Sequence, residues 1–171
     1  MQRSFLILIL AFFFASHATA AETINQYIPN KQKVGEGRLS IAFWDIYDAV
    51  LYAPNGKYNP EAPYALSIRY FREIDGADIA ERSIYEMKKQ GASDEKLLHS
   101  WYHQMLEIFP DVKDGTELTA LFTSKKTTKF YHNGKLIGVV KDPLFGKHFS
   151  DIWLSEKTSE PELRLKLLGQ S

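Results

Sequence analysis

Hydrophobic and polar residues in the first half of the chain alternate with the two-residue period of a β-strand. Residues 38–43 and 45–52 are rich in Ile, Val, Tyr and Phe, which favour strands. Residues 64–71 place Leu66 on one face and Arg69 on the other. A Pro-Asn-Gly turn and a proline-rich loop separate the second segment from the third, so we predict three consecutive strands.

The period then changes to that of an α-helix. Ala80, Ile84 and Met87 recur at helical spacing, and we predict a helix that Asp75 caps and Gly91 ends. A second helix follows at once. Ser93 is its predicted cap and proline stops it, and its apolar stripe consists of Leu98, Trp101, Met105 and Ile108.

The clearest turn signal lies in the second half of the chain. Asn133-Gly134 stands between two strand-like segments, and this pair favours a type I′ hairpin. Asp142 followed by Pro143 predicts the start of a third helix, and residues 159–162 resemble a capping box before a last helix. The order of strands, two helices, hairpin and two helices predicts an α+β fold. We expect a largely antiparallel sheet with helices packed on one face.

The N-terminus reads as a targeting segment. Arg3 is followed by an apolar run over residues 5–15 and by the small-residue cleavage site Ala18-Thr19-Ala20. The run is shorter than the ~20 apolar residues that a membrane-spanning helix needs. We therefore expect residues 1–20 to be a cleaved signal peptide and residues 21–171 to form one domain outside the cytoplasm, in the periplasm.

Composition narrows the classes of function. Removal of residues 1–20 leaves a net charge of −1, so the chain has no electrostatic footprint for nucleic acid and no basic block for an anionic membrane surface. No later apolar run is long enough to span a membrane. The absence of cysteine excludes disulfides, thiolate nucleophiles and cysteine-ligated metals.

The sequence carries no strong motif for a metal or a cofactor. His99 and His103 stand four residues apart on a predicted helix, but a zincin needs glutamate directly after the first histidine and this chain has Ser100. We interpret the pair as part of a solvated helix face and expect no metal. No glycine-rich phosphate loop and no Gly-x-Ser-x-Gly nucleophile elbow occur, so we expect no cofactor.

Arginine and tyrosine are concentrated around the first three strands. An arginine on a largely apolar face needs a partner, which is either an internal carboxylate or the carboxylate or phenolate of a ligand. A tyrosine hydroxyl can donate a second hydrogen bond to such a ligand. The predicted ligand-binding residues are Arg72, Arg38 and Tyr47, followed by Arg69, Tyr52 and Tyr70.

The sequence resembles the chalcone isomerase family, in its bacterial chalcone-isomerase-like branch. The similar segments span nearly the whole predicted domain in order. They are residues 35–38 (GEGR), 43–52 (FWDIYDAVLY), 66–74 (LSIRYFREI), 108–112 (IFPDV), 130–135 (FYHNGK), 149–155 (FSDIWLS), and 163–164 (LR) with 167–169 (LLG).

The resemblance implies an open-faced β-sandwich, in which helices cover one side of a long curved antiparallel sheet. It also implies an apolar cleft between sheet and helices, with a guanidinium at one end. Tyr47 matches a family tyrosine that is a carboxylate partner in fatty-acid-binding relatives, and Arg38 lies one residue from the family arginine, where Leu39 stands in an ungapped alignment. The polar residues of the plant isomerases fall near Ala42, Ser83 and Asp151, which do not match them.

Three functions remain open on this basis. The first is a non-catalytic periplasmic protein that binds a fatty acid or a similar small amphipathic carboxylate in the cleft. The second is an intramolecular lyase or isomerase acting on a phenolic or enone substrate. The third is a structural or protein-interaction module without a ligand, whose protein partner the sequence does not identify. We expect a binding protein rather than an enzyme, because the isomerase's polar set is missing.

Overall fold

The structure, a computed structural model, describes residues 20–124 and 126–170. Five helices and six strands occur within these ranges. In chain order they are α1 (Ala20–Tyr27), β1 (Lys31–Ile41), β2 (Trp44–Pro54), β3 (Tyr64–Tyr70), α2 (Gly76–Lys89), α3 (Glu95–Ile108), β4 (Glu117–Phe122), β5 (Thr128–His132), β6 (Lys135–Val140), α4 (Pro143–Leu154) and α5 (Pro161–Leu167).

The six strands form one antiparallel sheet in the order of the sequence, β1 to β6. Each strand therefore pairs with its neighbours along the chain. Turns or loops join four of these pairs, whereas α2 and α3 lie between β3 and β4. The pairing of β1 with β2 shifts register at Lys33/Gly35 and again at Leu39/Ser40. The predicted α+β fold with an antiparallel sheet is confirmed.

Helices α2, α3, α4 and α5 cover one face of the sheet, which we call the inner face, and enclose the main core. Alternate residues of each strand point into this core, as the pleat requires. Its most buried side chains come from both layers and include Leu51, Leu66, Met87, Leu98, Met105, Phe145 and Leu167.

Helix α1 lies on the opposite, outer face and was not predicted. Its Ile24 and Ile28 pack against Ala65, Leu121 and Tyr131 in a second, smaller hydrophobic cluster. The predicted signal peptide lies outside the described residues except for Ala20, the first residue of α1. None of the described helices is both long and apolar enough to cross a membrane.

Helix and turn signals are largely as predicted, but two predicted caps, those of α3 and α5, are wrong. Asp142 caps α4 by accepting a hydrogen bond from Leu144 N at 2.9 Å, which confirms that prediction. Asn133 and Gly134 both have positive φ, 44° and 87°, as a type I′ turn requires. The prediction of Ser93 as the cap of the second helix is wrong. Asp94 caps α3 instead, since its carboxylate is the group that lies within reach of the first free backbone N–H groups.

A glycine lets α5 lie directly on β1. A Cβ at Gly35 would come within 2.0 Å of the carbonyl oxygen of Lys166, which is closer than any side chain permits. This close approach holds the last turn of α5 against β1. The segment before α5 contains Ser159 and Glu160, which border the cavity described next.

Candidate functional site

A cavity of about 240 Å³ lies between the inner face of the sheet and the helices. Strands β1 to β5 supply its floor, while α2, the end of α3 and α4 supply its roof. Most of the lining is aliphatic or aromatic, so the interior favours an apolar guest. The floor contains Leu66, Ile68, Leu118, Ala120 and Phe130.

The mouth of the cavity lies between the end of the β1–β2 hairpin and α2. Three lining residues are exposed to solvent and mark this opening: Ile41, Asp78 and Arg82. Ile41 is the last residue of β1, and the other two lie one helical turn apart on α2. The opening therefore has one apolar edge and one charged edge.

Two phenols stand together on the wall of the cavity. Tyr47 and Tyr70 are register partners on β2 and β3, and their rings meet edge to face with centroids 5.9 Å apart. Trp153 Nε1 donates a hydrogen bond to the Tyr47 hydroxyl at 2.9 Å. Among the described residues no protein group accepts the proton of that hydroxyl, so Tyr47 is oriented by Trp153 and keeps a proton to donate to a ligand.

Burial keeps both phenols protonated. It raises the pKa of Tyr47 well above the usual tyrosine value, against a smaller lowering by the Trp153 hydrogen bond. It raises the pKa of Tyr70 in the same way, and the neighbouring Tyr47 adds to the effect. Both side chains are therefore neutral hydrogen-bond donors at physiological pH.

An ion pair forms the polar end of the cavity. Arg82 Nη2 lies 2.5 Å from Glu86 Oε1, one turn further along α2, and Ser159 Oγ donates to Glu86 Oε2 at 2.6 Å. The Arg82 side chain is 65% exposed, whereas that of Glu86 is 5% exposed. Arg82 is the one cation among the lining residues, and its guanidinium retains N–H donors for a second carboxylate.

Sequence reasoning missed Arg82 and Glu86. The available signal was their i, i+4 spacing next to the predicted apolar stripe, but such pairs are common on solvated helix faces. Ser159 was interpreted as part of a capping box, yet its hydroxyl donates to Glu86, and the N-cap of α5 is Glu160 without a side-chain cap bond. Only the tertiary structure, which places the segment between α4 and α5 beside α2, reveals this contact.

Of the six predicted ligand-binding residues, the structure places two in the cavity. Tyr47 and Tyr70 line it, whereas Arg38, Arg69 and Tyr52 lie on the outer face of the sheet. The predicted arginines and tyrosines are thus not brought together in one site. Ligand binding by each of them stays a prediction.

Arg38 forms hydrogen bonds with two carboxylates of this chain. Its guanidinium donates to Asp48 Oδ1 and Asp45 Oδ2, each at 2.7 Å, and lies 4.6 Å from the centroid of the Phe71 ring. The Asp48 hydrogen bond is the main reason why the pKa of Arg38 is raised. Leu39 takes the position facing the cavity. The guanidinium is therefore already satisfied by carboxylates of this chain, one of the two alternatives the sequence left open.

Arg69 and Tyr52 border a second, polar cavity of about 360 Å³ on the outer face. Arg38 also lines it, together with three carboxylates, Glu36, Asp48 and Glu117. The two arginines and three acids leave this cavity without an excess of positive charge, and few of its lining residues are apolar. This groove has the character of a hydrated surface rather than of a site for an amphiphile.

Arg72 lies outside the lining of either cavity. Its guanidinium stacks over the ring of Trp44 at 4.3 Å from the centroid, and its Nε donates to the Asp45 carbonyl oxygen at 3.3 Å. The prediction that Arg72 shares the face of Tyr70 required the strand to continue. Strand β3 ends at Tyr70, so the alternation does not extend to Arg72.

The histidine pair is exposed on α3. His99 Nε2 and His103 Nε2 are 3.1 Å apart, and their rings meet edge to face. Within residues 20–124 and 126–170 no group of three histidine, aspartate or glutamate side chains is arranged to hold a metal ion.

The sequence matches a known protein family over most of its length. A family model described as chalcone isomerase-like matches residues 33–169, which is most of the chain. This chain belongs to the chalcone isomerase-like family. The predicted resemblance to the chalcone isomerase family is confirmed. A search of curated proteins finds no match.

One solved structure extends the comparison. A fatty-acid binding protein of Arabidopsis thaliana superimposes with a TM-score of 0.63 at 15% sequence identity, over 82% of this chain and 87% of that protein. At this identity the likeness establishes the shared fold. The chalcone isomerase-like chain described here therefore has the sheet-and-helix scaffold of that plant protein.

Proposed function

We propose that this chalcone isomerase-like protein binds a fatty acid or a similar small amphipathic carboxylate in the cavity between sheet and helices, without catalysis. The observation that carries the proposal is the polarity of the cavity. An apolar interior ends in a phenol with a free proton, Tyr47, and in a guanidinium, Arg82, on the rim. The fatty-acid binding protein of Arabidopsis thaliana, with the same fold, supports this function.

The polar groups lie close to one another. The charges of Glu160, Arg82 and Glu86 are near enough to Tyr47 to affect its pKa. Asp78 also lines the mouth, so the polar end is not purely cationic. A carboxylate head group is stabilised there only through direct contact with Arg82 and Tyr47, because the surrounding acids repel it at longer range.

The size of the cavity sets the length of the guest. Small-molecule sites usually have volumes of about 300 to 1,000 Å³, and this cavity of about 240 Å³ is just below that range. A methylene group takes up about as much space as a water molecule, ~30 Å³, so the interior holds roughly eight such groups. A medium-length chain fits better than a long one.

A second candidate function is an intramolecular lyase or isomerase. The observation in its favour is Glu86, a buried carboxylate at the same end of the cavity as Tyr47. A carboxylate within reach of a bound phenol or enone is the group a proton transfer needs. However, Glu86 already accepts a hydrogen bond from Ser159 and forms an ion pair with Arg82, and this favours the binding protein.

We place the protein in the periplasm because of the signal-peptide pattern over residues 1–20. The measurement is N-terminal sequencing of the protein from a periplasmic extract of its own cell. Release there with Ala21 as the first residue supports the proposal. An uncleaved chain retained with the membrane fraction, or in the cytoplasm, contradicts it.

Ligand binding is tested by native mass spectrometry of protein purified from its own compartment, followed by denaturing extraction and lipid analysis. We expect a stoichiometric co-purifying acid. Loss of a hydrogen bond to a charged group costs about 1.5–3 kcal/mol, so Arg82→Gln and Tyr47→Phe should each weaken binding about tenfold or more.

The outer face offers matched controls. Arg69→Gln and Tyr52→Phe remove the same chemical groups on the other side of the sheet and should leave affinity unchanged. If these two variants lose the ligand and Arg82→Gln does not, the site is the outer groove and the cavity proposal is wrong. An apo mass with no thermal shift on adding fatty acids or chalcones favours the module without a ligand. Turnover of a chalcone that Glu86→Gln abolishes favours the isomerase.

A further inference from the structure

We propose that the tip of the β1–β2 hairpin, residues 41–44, docks the protein on a lipid bilayer next to the mouth of the cavity. Three large apolar side chains are exposed within four residues: Ile41 and Trp44 at 59% and Phe43 at 99%. A fully exposed phenylalanine contributes nothing to the core. Such a cluster at a protruding turn matches the residues that enter the interface of a membrane.

Packing of the hydrophobic core does not explain the apolar side chains of this tip, because they are exposed. Ala42 has a φ of +54°, a left-handed conformation that favours glycine in a two-residue hairpin turn. The turn therefore carries backbone strain and presents an aromatic side chain to solvent at the same point. Departures from local rules without a gain in packing are expected at functional sites rather than at structural ones.

One guanidinium behind the tip, that of Arg72, can contact a lipid phosphate. Arg72 stacks over the Trp44 ring, and among the described residues no carboxylate forms an ion pair with it. An aromatic ring that reaches the acyl boundary would hold this guanidinium at the depth of the lipid phosphates, where it has a complementary partner. The nearby Arg38 is neutralised by Asp45 and Asp48, so anchoring depends on apolar contact more than on membrane charge.

The position of the tip connects membrane docking with the cavity. Ile41 belongs both to the exposed tip and to the lining of the cavity. A docked tip therefore places the mouth against the lipid surface, where an amphipathic acid could pass between bilayer and cavity without crossing water. This transfer rests on the proposed function, whereas docking itself does not.

The test is flotation of the full protein with vesicles of phosphatidylcholine alone and with added phosphatidylglycerol, read together with Trp44 emission. Trp101 and Trp153 are buried, so a blue shift reports mainly on the tip. We expect binding to both vesicles, and a loss of about tenfold or more in Phe43→Ser, since a buried phenylalanine side chain is worth at least that factor. Arg72→Gln should weaken binding to both vesicles, because both lipids carry phosphate.

Matched controls separate the possible outcomes. Leu136→Ser removes an exposed apolar side chain on β6 and should leave vesicle binding unchanged. Absence of vesicle binding by the wild type, or equal losses in the two serine variants, overturns the proposal. Concentration-dependent dimerisation that Phe43→Ser abolishes, without vesicle binding, assigns the tip to a second copy instead. Affinity for a short soluble acid should survive in Phe43→Ser, so failure of docking and failure of ligand binding are distinguishable.

Discussion

The binding affinities of straight-chain carboxylates of increasing length provide the most direct test of the size of the cavity. Each methylene transferred from water to an apolar interior contributes ~0.8 kcal/mol, which is about fourfold in affinity. The cavity of about 240 Å³ holds roughly eight such groups at ~30 Å³ each. The dissociation constant should therefore fall about fourfold per carbon and then level off at an acid of roughly nine carbons.

Isothermal titration calorimetry below the micelle concentration of each acid measures this series. Ala120 lies on the cavity floor, and Ala120→Leu adds three carbon atoms to the wall. In that variant the levelling point should move to acids about three carbons shorter, provided that thermal unfolding shows the fold intact, because overpacking costs about 1–3 kcal/mol. The methyl ester of the best acid should bind more weakly, since it lacks the charge that Arg82 contacts.

Two results would refute this reasoning. A slope well below fourfold per carbon would mean that the chain stays in water and that the site is elsewhere. Continued growth of affinity to much longer acids in both wild type and Ala120→Leu would mean that the cavity does not limit the ligand.

Two further predictions concern stability and pH. Asp142→Ala should cost about 2–3 kcal/mol, because Asp142 both caps α4 and accepts a hydrogen bond from buried Trp101 Nε1 at 2.8 Å. Asp94→Ala, which removes only the cap of α3, should cost about 1 kcal/mol in chemical denaturation, and equal costs would contradict the role of the indole bond. Burial lowers the pKa of His148, so the unfolded chain binds its proton more readily than the folded one. Stability should accordingly decline as pH falls below the usual histidine pKa of about 6.5. Thermal unfolding of His148→Gln between pH 7.5 and 5 should show a shallower decline, and identical profiles would show that His148 is not responsible.

The electrostatics of the mouth shape the choice of ligand. Arg82 shares the lining of the cavity with three acids, Asp78, Glu86 and Glu160. A carboxylate gains from contact with the guanidinium but meets repulsion from the acids, so the affinity must come largely from the apolar chain. Under the proposed function, this balance would allow both uptake and release of the ligand, because the head group would not be held by several cations at once.

Much of the fold was determined by the sequence alone. Alternation in β3, the helical stripe of α2, the Asn133-Gly134 turn and the Asp142 cap all depend on neighbours a few residues away. Local spacing fixes backbone geometry and the identity of the apolar face, and these suffice for an α+β order. Strand parity shared with Leu66 and Ile68 supported Tyr70 as a candidate, whereas the family resemblance supported Tyr47, and both line the cavity.

Only the tertiary structure decided where the charged groups lie. Register shifts in β1 determine which face its side chains take, and they leave Arg38 on the outer face and Leu39 in the cavity. The end of β3 at Tyr70 releases Arg72 from the alternation. Arg82 reaches the cavity because α2 packs across the sheet, over contacts between residues far apart in sequence. The period of a strand is a local property, whereas the face, the partner and the cavity of a side chain depend on long-range packing. The sequence by itself therefore could not identify Arg82 as the cation of the site.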